Sequence, residues 1–359
     1  MTNKPSDQTD TTLDPDAPST PSAVVQEKSA RGAVTVLINR ASRIFAATSL
    51  GTFMLLVLIV ILFALLAGDR FFTTFNLRNI AIDTSGLLLI SVGMTFVIIV
   101  AGIDLSVGAV LVFSAVIGAK AMIAAEGSPL QLWIGLAATV LAGLAWGIVN
   151  GILIAKASLP PLIVTLGTLS IALGLSYVIS GGFDVRGVPP ELNATLGTGS
   201  VLGIPNLVLV SAIVAAVAWV LLTQTRFGRH TFAIGSNLEA ARRAGIAVER
   251  HLITVYAMSG LLAGLAGYLN LARFQTTTIA GHSNDILQAI TAVTLGGTSL
   301  FGGVGTIVGT VIGTFIPAVL RNGLVILGIQ PFWQQVVVGA MLIGVVYLDH
   351  LRRRARQKR

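Results

Sequence analysis

From about Ile44 onward the chain is a succession of apolar blocks near twenty residues long, separated by short polar or glycine-rich stretches. A helix takes about 20 such residues to cross a bilayer core. Windows of that length place about ten helices, at approximately 47–68, 80–101, 105–125, 130–155, 160–180, 206–224, 252–271, 284–299, 303–326 and 332–349. The expected fold class is therefore an all-α polytopic membrane protein. Two places depart from the pattern. The eighth window is short and interrupted by Gly296 and Gly297, and the junction of the second and third, A-G-I-D-L-S-V-G over Ala101 to Gly108, is barely a loop. Broken helices persist at membrane depth where they line a cavity or lie inside protein, which makes both breaks candidates for a solute path.

A repeat is also visible. Gly143, Gly147 and Gly151 in the fourth window match Gly305, Gly309 and Gly313 in the ninth, each a double G-x-x-x-G that lets helices approach closely. The two windows are five helices apart and so run in opposite directions, which fits inverted five-helix units in which segments two to five answer segments seven to ten. A same-direction match, Gly102 to Gly118 against Gly297 to Gly313, shares several residues too, and both readings stand at this point.

Composition agrees with the apolar pattern: 54% of the 359 residues are hydrophobic, 11% are charged, and the mean hydropathy is +0.86. Soluble domains carry roughly 25% charged residues. Residues 1–43 are instead rich in Thr, Ser, Pro and Asp, too polar to bury a core, and are expected to be a disordered cytoplasmic tail. The remainder divides into a transmembrane domain over 44–350, with a polar loop over 225–251, and a basic tail over 351–359. The formal charge of +8 does not signal nucleic acid, because the Lys and Arg residues collect in the tails and that one loop. Placing the N-terminus inside puts most of them on the cytoplasmic face, the usual bias of a membrane protein. Both termini and the island from Arg226 to Arg250 are then cytoplasmic. With no cysteine there is no disulfide or thiolate metal site, and the four histidines share no metal-ligand spacing.

The island carries a short helix with both ends written in. Ser236 and Glu239 have the S-x-x-E spacing of a capping box, and Gly245 supplies a left-handed terminator. Between them lie about eight residues, roughly 12 Å of helix, with Glu239 and Arg243 spaced for a weak ion pair. Leu238, Ala241 and Gly245 lie close to one face, while Glu239, Arg242 and Arg243 occupy others. This is either a surface helix that stiffens a loop or a helix offered to a partner.

Charge inside the apolar windows is sparse. Asp83 and Asp285 are expected to open their helices on the outer side, where a carboxylate favours the positive helix end. Asp104, followed by Leu105 and Ser106, either caps the third helix or belongs to a site. Uncharged polar residues are more numerous: Ser91, Thr95, Asn150, Thr165, Thr168, Asn270, Gln288, Thr291 and Thr294 would suit a path for a neutral, hydroxyl-rich solute or would tie helices together. No phosphate loop G-x-x-x-x-G-K-[ST], no H-E-x-x-H and no G-x-S-x-G occurs. A helical bundle with a helix offered to the cytoplasm and no energy source of its own implies a partner.

Glu239-Ala240-Ala241, three residues, then Gly245 resembles the E-A-A-x-x-x-G signature of permeases in bacterial ATP-binding cassette (ABC) importers. G-I-D-L-S-V-G at Gly102 to Gly108, P-P-L-I-V-T-L-G-T at Pro160 to Thr168, F-G-R-H-T-F-A-I-G-S-N-L-E-A-A-R-R-A-G-I at Phe227 to Ile246 and L-G-G-T-S-L-F-G-G at Leu295 to Gly303 resemble the monosaccharide permeases of the ribose, xylose and fructose type. The resemblance runs from about residue 47 to 350 and leaves the N-terminal tail outside. It implies a transport subunit of the bacterial inner membrane, not an enzyme. It binds no cofactor itself, ATP and magnesium residing on a separate ATPase subunit. The implied partners are that ATPase, a periplasmic or lipid-anchored sugar-binding protein, a second permease copy and membrane lipid. The capped helix would be the coupling helix, with Glu239, Ala240, Ala241 and Gly245 as its signature and Ser236, Arg242 and Arg243 beside them. Two alternatives remain: a branched-chain amino acid permease, which would favour fixed charges in the path, and an ion-coupled secondary transporter, for which Asp104 is the available buried charge.

Overall fold

The computed structural model describes residues 49–282 and 284–357; the expected tail over 1–43 lies outside the described residues. Each apolar window contains a helix: α1 Ser49–Ala67, α2 Thr74–Ile99, α3 Val107–Ala124, α4 Gln131–Ala155, α5 Pro161–Ser180 and α6 Asn206–Gln224, then the loop helices α7 Arg226–Ser236 and α8 Leu238–Arg243, then α9 Val248–Phe274, α10 Asp285–Leu295, α11 Ile307–Ile326 and α12 Pro331–Gln357. Among the described residues, eight helices are long and apolar enough to cross a membrane. The chain is an all-α polytopic membrane protein. The other two windows hold α10, whose 11 residues reach only about 16 Å, and α12, whose apolar part is the shorter stretch Phe332–Gly344.

Local chemistry sets the helix ends. The Thr73 hydroxyl accepts from the Asn76 N–H at the start of α2, and Thr306 accepts from Gly309 at the start of α11. Pro161 opens α5 at a position where a missing N–H costs least. A small hairpin pairing Ser200 and Val201 with Pro205 and Ile204 precedes α6.

Helices α2, α3 and α9 form the centre. The apolar window of α2 is 78% buried, against 17% for α1, so α1 belongs to the rim. Helix α4 packs along α9 because glycines meet backbone: a methyl group at Gly143 would fall on the Gly260 carbonyl, and one at Gly147 on the Tyr256 carbonyl. In the other half, Gly309 and Gly313 bring α11 against the end of α10 in the same way. Helix α1 closes on α11 and is tied to the end of α10, where the Thr52 hydroxyl donates to the Leu295 carbonyl at 2.6 Å.

The breaks noted in the sequence meet. Helix α2 ends with Ala101 in the left-handed region (φ 60), where the Ala101 and Gly102 N–H groups donate to the Ile98 and Val97 carbonyls at 2.9 Å. Gly303, in the connection after α10, donates to the Ile99 carbonyl at 2.8 Å. The chain then climbs back, so that α3 starts beside Ser259, about 17 Å along α9 at the usual rise. Helix α3 thus begins near the middle of the bundle.

Candidate functional site

The polar loop between α6 and α9 is built on α7. Thr225 caps it by accepting from the Gly228 N–H, and Gly228, Thr231 and Ile234 are its buried face. The N-cap expected at Ser236 moves by one residue, and without a Glu or Gln at the new third position, Ala240, no capping box forms. Asn237 has the extended backbone that a cap requires (φ −161, ψ 103), and its Oδ1 accepts from the Ala240 N–H at 2.9 Å. Ser236 is instead the last residue of α7. It packs against Gly303, whose added methyl group would lie 2.7 Å from the Ser236 Oγ. Helix α8 is correspondingly shorter than expected, six residues or about 9 Å.

Its far end follows expectation. Gly245 has φ +81, and the Gly245 and Ile246 N–H groups donate to the Arg242 and Ala241 carbonyls at 3.0 and 3.2 Å. Only Ala241 turns inward; Glu239, Ala240, Arg242, Arg243 and Gly245 are exposed. The expected partner of Glu239 is also displaced by one residue. Arg242, not Arg243, lies 3.9 Å from Glu239, and Arg242 makes its closer bond to Glu249 at 2.8 Å. An intact turn of helix thus presents a mostly polar face to solvent on a seat made by α7 and the two helix breaks.

Within the bundle, Asp104 is buried. It does not cap α3 through a helical N–H. Its Oδ1 accepts from the Ser106 N–H at 3.0 Å and the Ser106 Oγ at 2.6 Å, and its Oδ2 accepts from the Ser259 Oγ at 3.0 Å. Asn150 of α4 donates to the Ser106 Oγ at 2.8 Å. One carboxylate therefore ties the break to α9 directly and to α4 through Ser106. Thr165 lies beside the break, 3.5 Å from the Ile103 carbonyl, while bonding its own helix at Pro161 at 2.8 Å. The other candidates are elsewhere. Thr95 bridges α2 to α11 through Thr310 at 2.7 Å. Thr168, Thr291 and Thr294 donate to the carbonyls of Val164, Leu287 and Ile290 one turn earlier in their own helices.

Gln288 lines a separate polar cavity of about 310 Å³ between the N-terminal half of α2, the C-terminal half of α9, the start of α10 and the C-terminal part of α11. Sequence reasoning missed most of its chemistry. Asp83 does not open a helix, because α2 begins at Thr74 and places Asp83 more than two turns in, where it pairs with Arg273 of α9. Asp285, the first residue of α10, accepts from the His282 Nδ1 at 2.6 Å. The His282 Nε2 meets Thr278 at 2.8 Å and Asn270 at 3.0 Å. Arg321 lines the same space. The available signal was an acid just inside the start of one apolar window and a base two residues past the end of another, Asp83 and Arg273, which both fall within helices once α2 is begun earlier and α9 is ended later.

A family model described as a branched-chain amino acid transport system / permease component matches residues 76–346. The D-allose transport system permease protein of Escherichia coli strain K12 is 41% identical over 84% of this chain and 91% of its own length. The ribose import permease protein of Bacillus subtilis strain 168 is 38% identical over 84% of this chain and 92% of its own. The fructose import permease protein of Rhizobium meliloti is 35% identical over 82% and 83%. No solved structure matches the chain.

Proposed function

This chain belongs to the family of branched-chain amino acid transport system permease components, and from that premise we propose that it is the membrane-spanning subunit of an ABC importer that brings a monosaccharide into the cell. The substrate class follows the relatives, whose names give allose, ribose and fructose. Its place is the inner membrane. It does not act as an enzyme; ATP and magnesium belong to a separate ATPase subunit, and a sugar-binding protein delivers the cargo on the outer side. A second copy of the permease completes the pore. The positive-inside bias places both termini and the loop 225–251 in the cytoplasm, and α10 and α12 complete ten membrane segments around the eight long helices. The matched spacing of Gly143, Gly147 and Gly151 with Gly305, Gly309 and Gly313 supports an inverted relation between the two halves.

The observation that carries the reading is α8: an exposed helix bearing Glu239, Ala240 and Ala241, closed by Gly245, on the face where the charge bias puts the cytoplasm. Such a helix would sit in a groove of the ATPase, and its displacement would pass through Ser236, Gly303 and Ile99 into the broken segment that Asp104 anchors. A tagged chain drawn from gently solubilised membranes should bring an ATPase with it, and Glu239→Arg should lose that partner while the permease remains in the membrane. Purification alone in both forms would favour a gradient-driven carrier and refute the coupling assignment. The charges that a zwitterionic amino acid would seek are mostly committed to one another, Asp83 with Arg273 and Asp285 with His282.

A further inference from the structure

The polar groups around the outer cavity divide sharply into those already engaged and those that are not. Arg273 is held twice, by Asp83 and by the Phe274 ring, 4.9 Å from its guanidinium carbon. His282 has both ring nitrogens occupied, by Asp285 on one side and by Thr278 and Asn270 on the other. Two side chains from different helices stand apart: among the described residues neither Gln288 of α10 nor Arg321 of α11 makes a side-chain hydrogen bond or ion pair, and both line the cavity. An arginine offers five donors and a glutamine both donors and an acceptor. That combination suits a ligand that accepts and donates at several neighbouring points.

Charge narrows the ligand class. Asp83 and Asp285 border the same space as Arg321, so an anion drawn to the arginine would face two carboxylates, whereas a neutral polyol meets no such cost and can donate to them. The volume, about 310 Å³, lies at the lower end of small-molecule sites. The inner end is closed. Leu111, Ala266 and Leu269 line it, and one turn below Leu111 the Gly108 backbone abuts the His282 carbonyl, 3.0 Å from where a methyl group would lie.

We infer that this cavity is a holding site for one neutral monosaccharide inside a single permease copy, with Gln288 and Arg321 as the side chains that take its hydroxyls. The inference rests on the sugar-importer reading and adds to it a sugar site in the permease itself. The inward end must open before the sugar moves on, and the contact of Gly108 with the His282 backbone is what parts.

The native chain contains no cysteine, which gives a direct test in the assembled transporter, with ATPase and binding protein, in proteoliposomes. Uptake of labelled D-allose, D-ribose and D-fructose by the unaltered chain first identifies the sugar moved. At saturating loaded binding protein, Gln288→Ala and Arg321→Ala should each lower uptake of that sugar about tenfold, the effect of one lost hydrogen bond. Stimulation of the ATPase by loaded binding protein should persist, which a misfolded bundle would not allow. In Gln288→Cys, a membrane-impermeant sulfonate thiol reagent should label the introduced thiol from the outer side, and the transported sugar should slow that labelling severalfold. Labelling that ignores the sugar, or two alanine variants with normal uptake, overturns the holding site alone. An unaltered transporter that moves none of the three sugars overturns the importer reading as well.

Discussion

Two acid-centred polar clusters in the membrane domain, one at Asp104 and one at Asp83, differ in almost every respect. Around Asp104 every bond is inward: the carboxylate is buried and accepts from Ser106 twice and from Ser259 once, while Asn150 donates to the Ser106 hydroxyl. Around Asp83 the pairing is with a full opposite charge, Arg273, and both side chains keep about a quarter to a third of their surface open to the cavity. A carboxylate far from water is tolerated only when hydrogen-bonded throughout, and such bonding fixes the parts that supply it. The Asp104 cluster is therefore a fastening, which sets where α3 starts. A carboxylate beside a cavity keeps access to water and solute, and its pairing can be exchanged.

Removal of each acid should therefore be felt in different measurements. Asp104→Leu has the largest effect on the fold. It leaves the Ser106 N–H, the Ser106 hydroxyl and the Ser259 hydroxyl without their acceptor, and buried polar groups stranded in this way cost about 1–3 kcal/mol each. Thermal unfolding of the purified permease in detergent should shift down by well over ten degrees, or the chain should fail to accumulate. A variant as stable as the original would show that the cluster fastens nothing. Ser259→Ala comes second. It removes one donor of three and leaves the carboxylate its two bonds to Ser106, so the expected loss is about 1 kcal/mol, a shift of a few degrees in the same measurement. A loss equal to that of Asp104→Leu would mean that the tie to α9 alone carries the cluster.

The two clusters were also unequally legible in the sequence. Asp104 and Ser106 stood out because they interrupt an apolar run, and the structure does place them at a break. Their partners Asn150 and Ser259 lie 44 and 155 residues from the bonded groups, and a helix periodicity does not report which faces meet across that distance. Asn150 was a candidate only as one polar residue among many. Most of the threonines named with it satisfy their hydroxyls on the preceding turn of their own helix, an option open to any threonine in a membrane helix and invisible as a choice until the helix is built. The Asp83 cluster was missed for a different reason. An apolar window starts where hydropathy rises and stops where it falls, so the polar first turns of α2 and the last turn of α9 fell outside; Asp83 then looked like the opening of its helix and Arg273 like a loop residue, and nothing paired them. In the polar loop Gly245 was legible because a left-handed helix end favours glycine strongly. The N-cap was displaced from Ser236 to Asn237 because both residue types cap well and the packing of Ser236 on Gly303 decides between them.

The smallest expected change in stability, and the one that sharpens the contrast most, is Asp83→Asn. The substitution keeps the shape and one acceptor but removes the charge opposite Arg273. Ion pairs with this much access to solvent contribute under about 1 kcal/mol, so unfolding in detergent should move by no more than a few degrees, less than with Ser259→Ala. Transport is the sensitive measurement. The freed guanidinium of Arg273 joins that of Arg321 beside the same cavity, which turns a nearly neutral lining into a cationic one. Uptake of a neutral sugar should fall, and the double change Asp83→Arg with Arg273→Asp, which restores the pair in reverse, should recover much of it. If Asp83→Asn destabilises the fold as strongly as Asp104→Leu while the reversed pair restores nothing, then Asp83 is a fastening too, and the division between a sealed cluster and an exchangeable one does not hold.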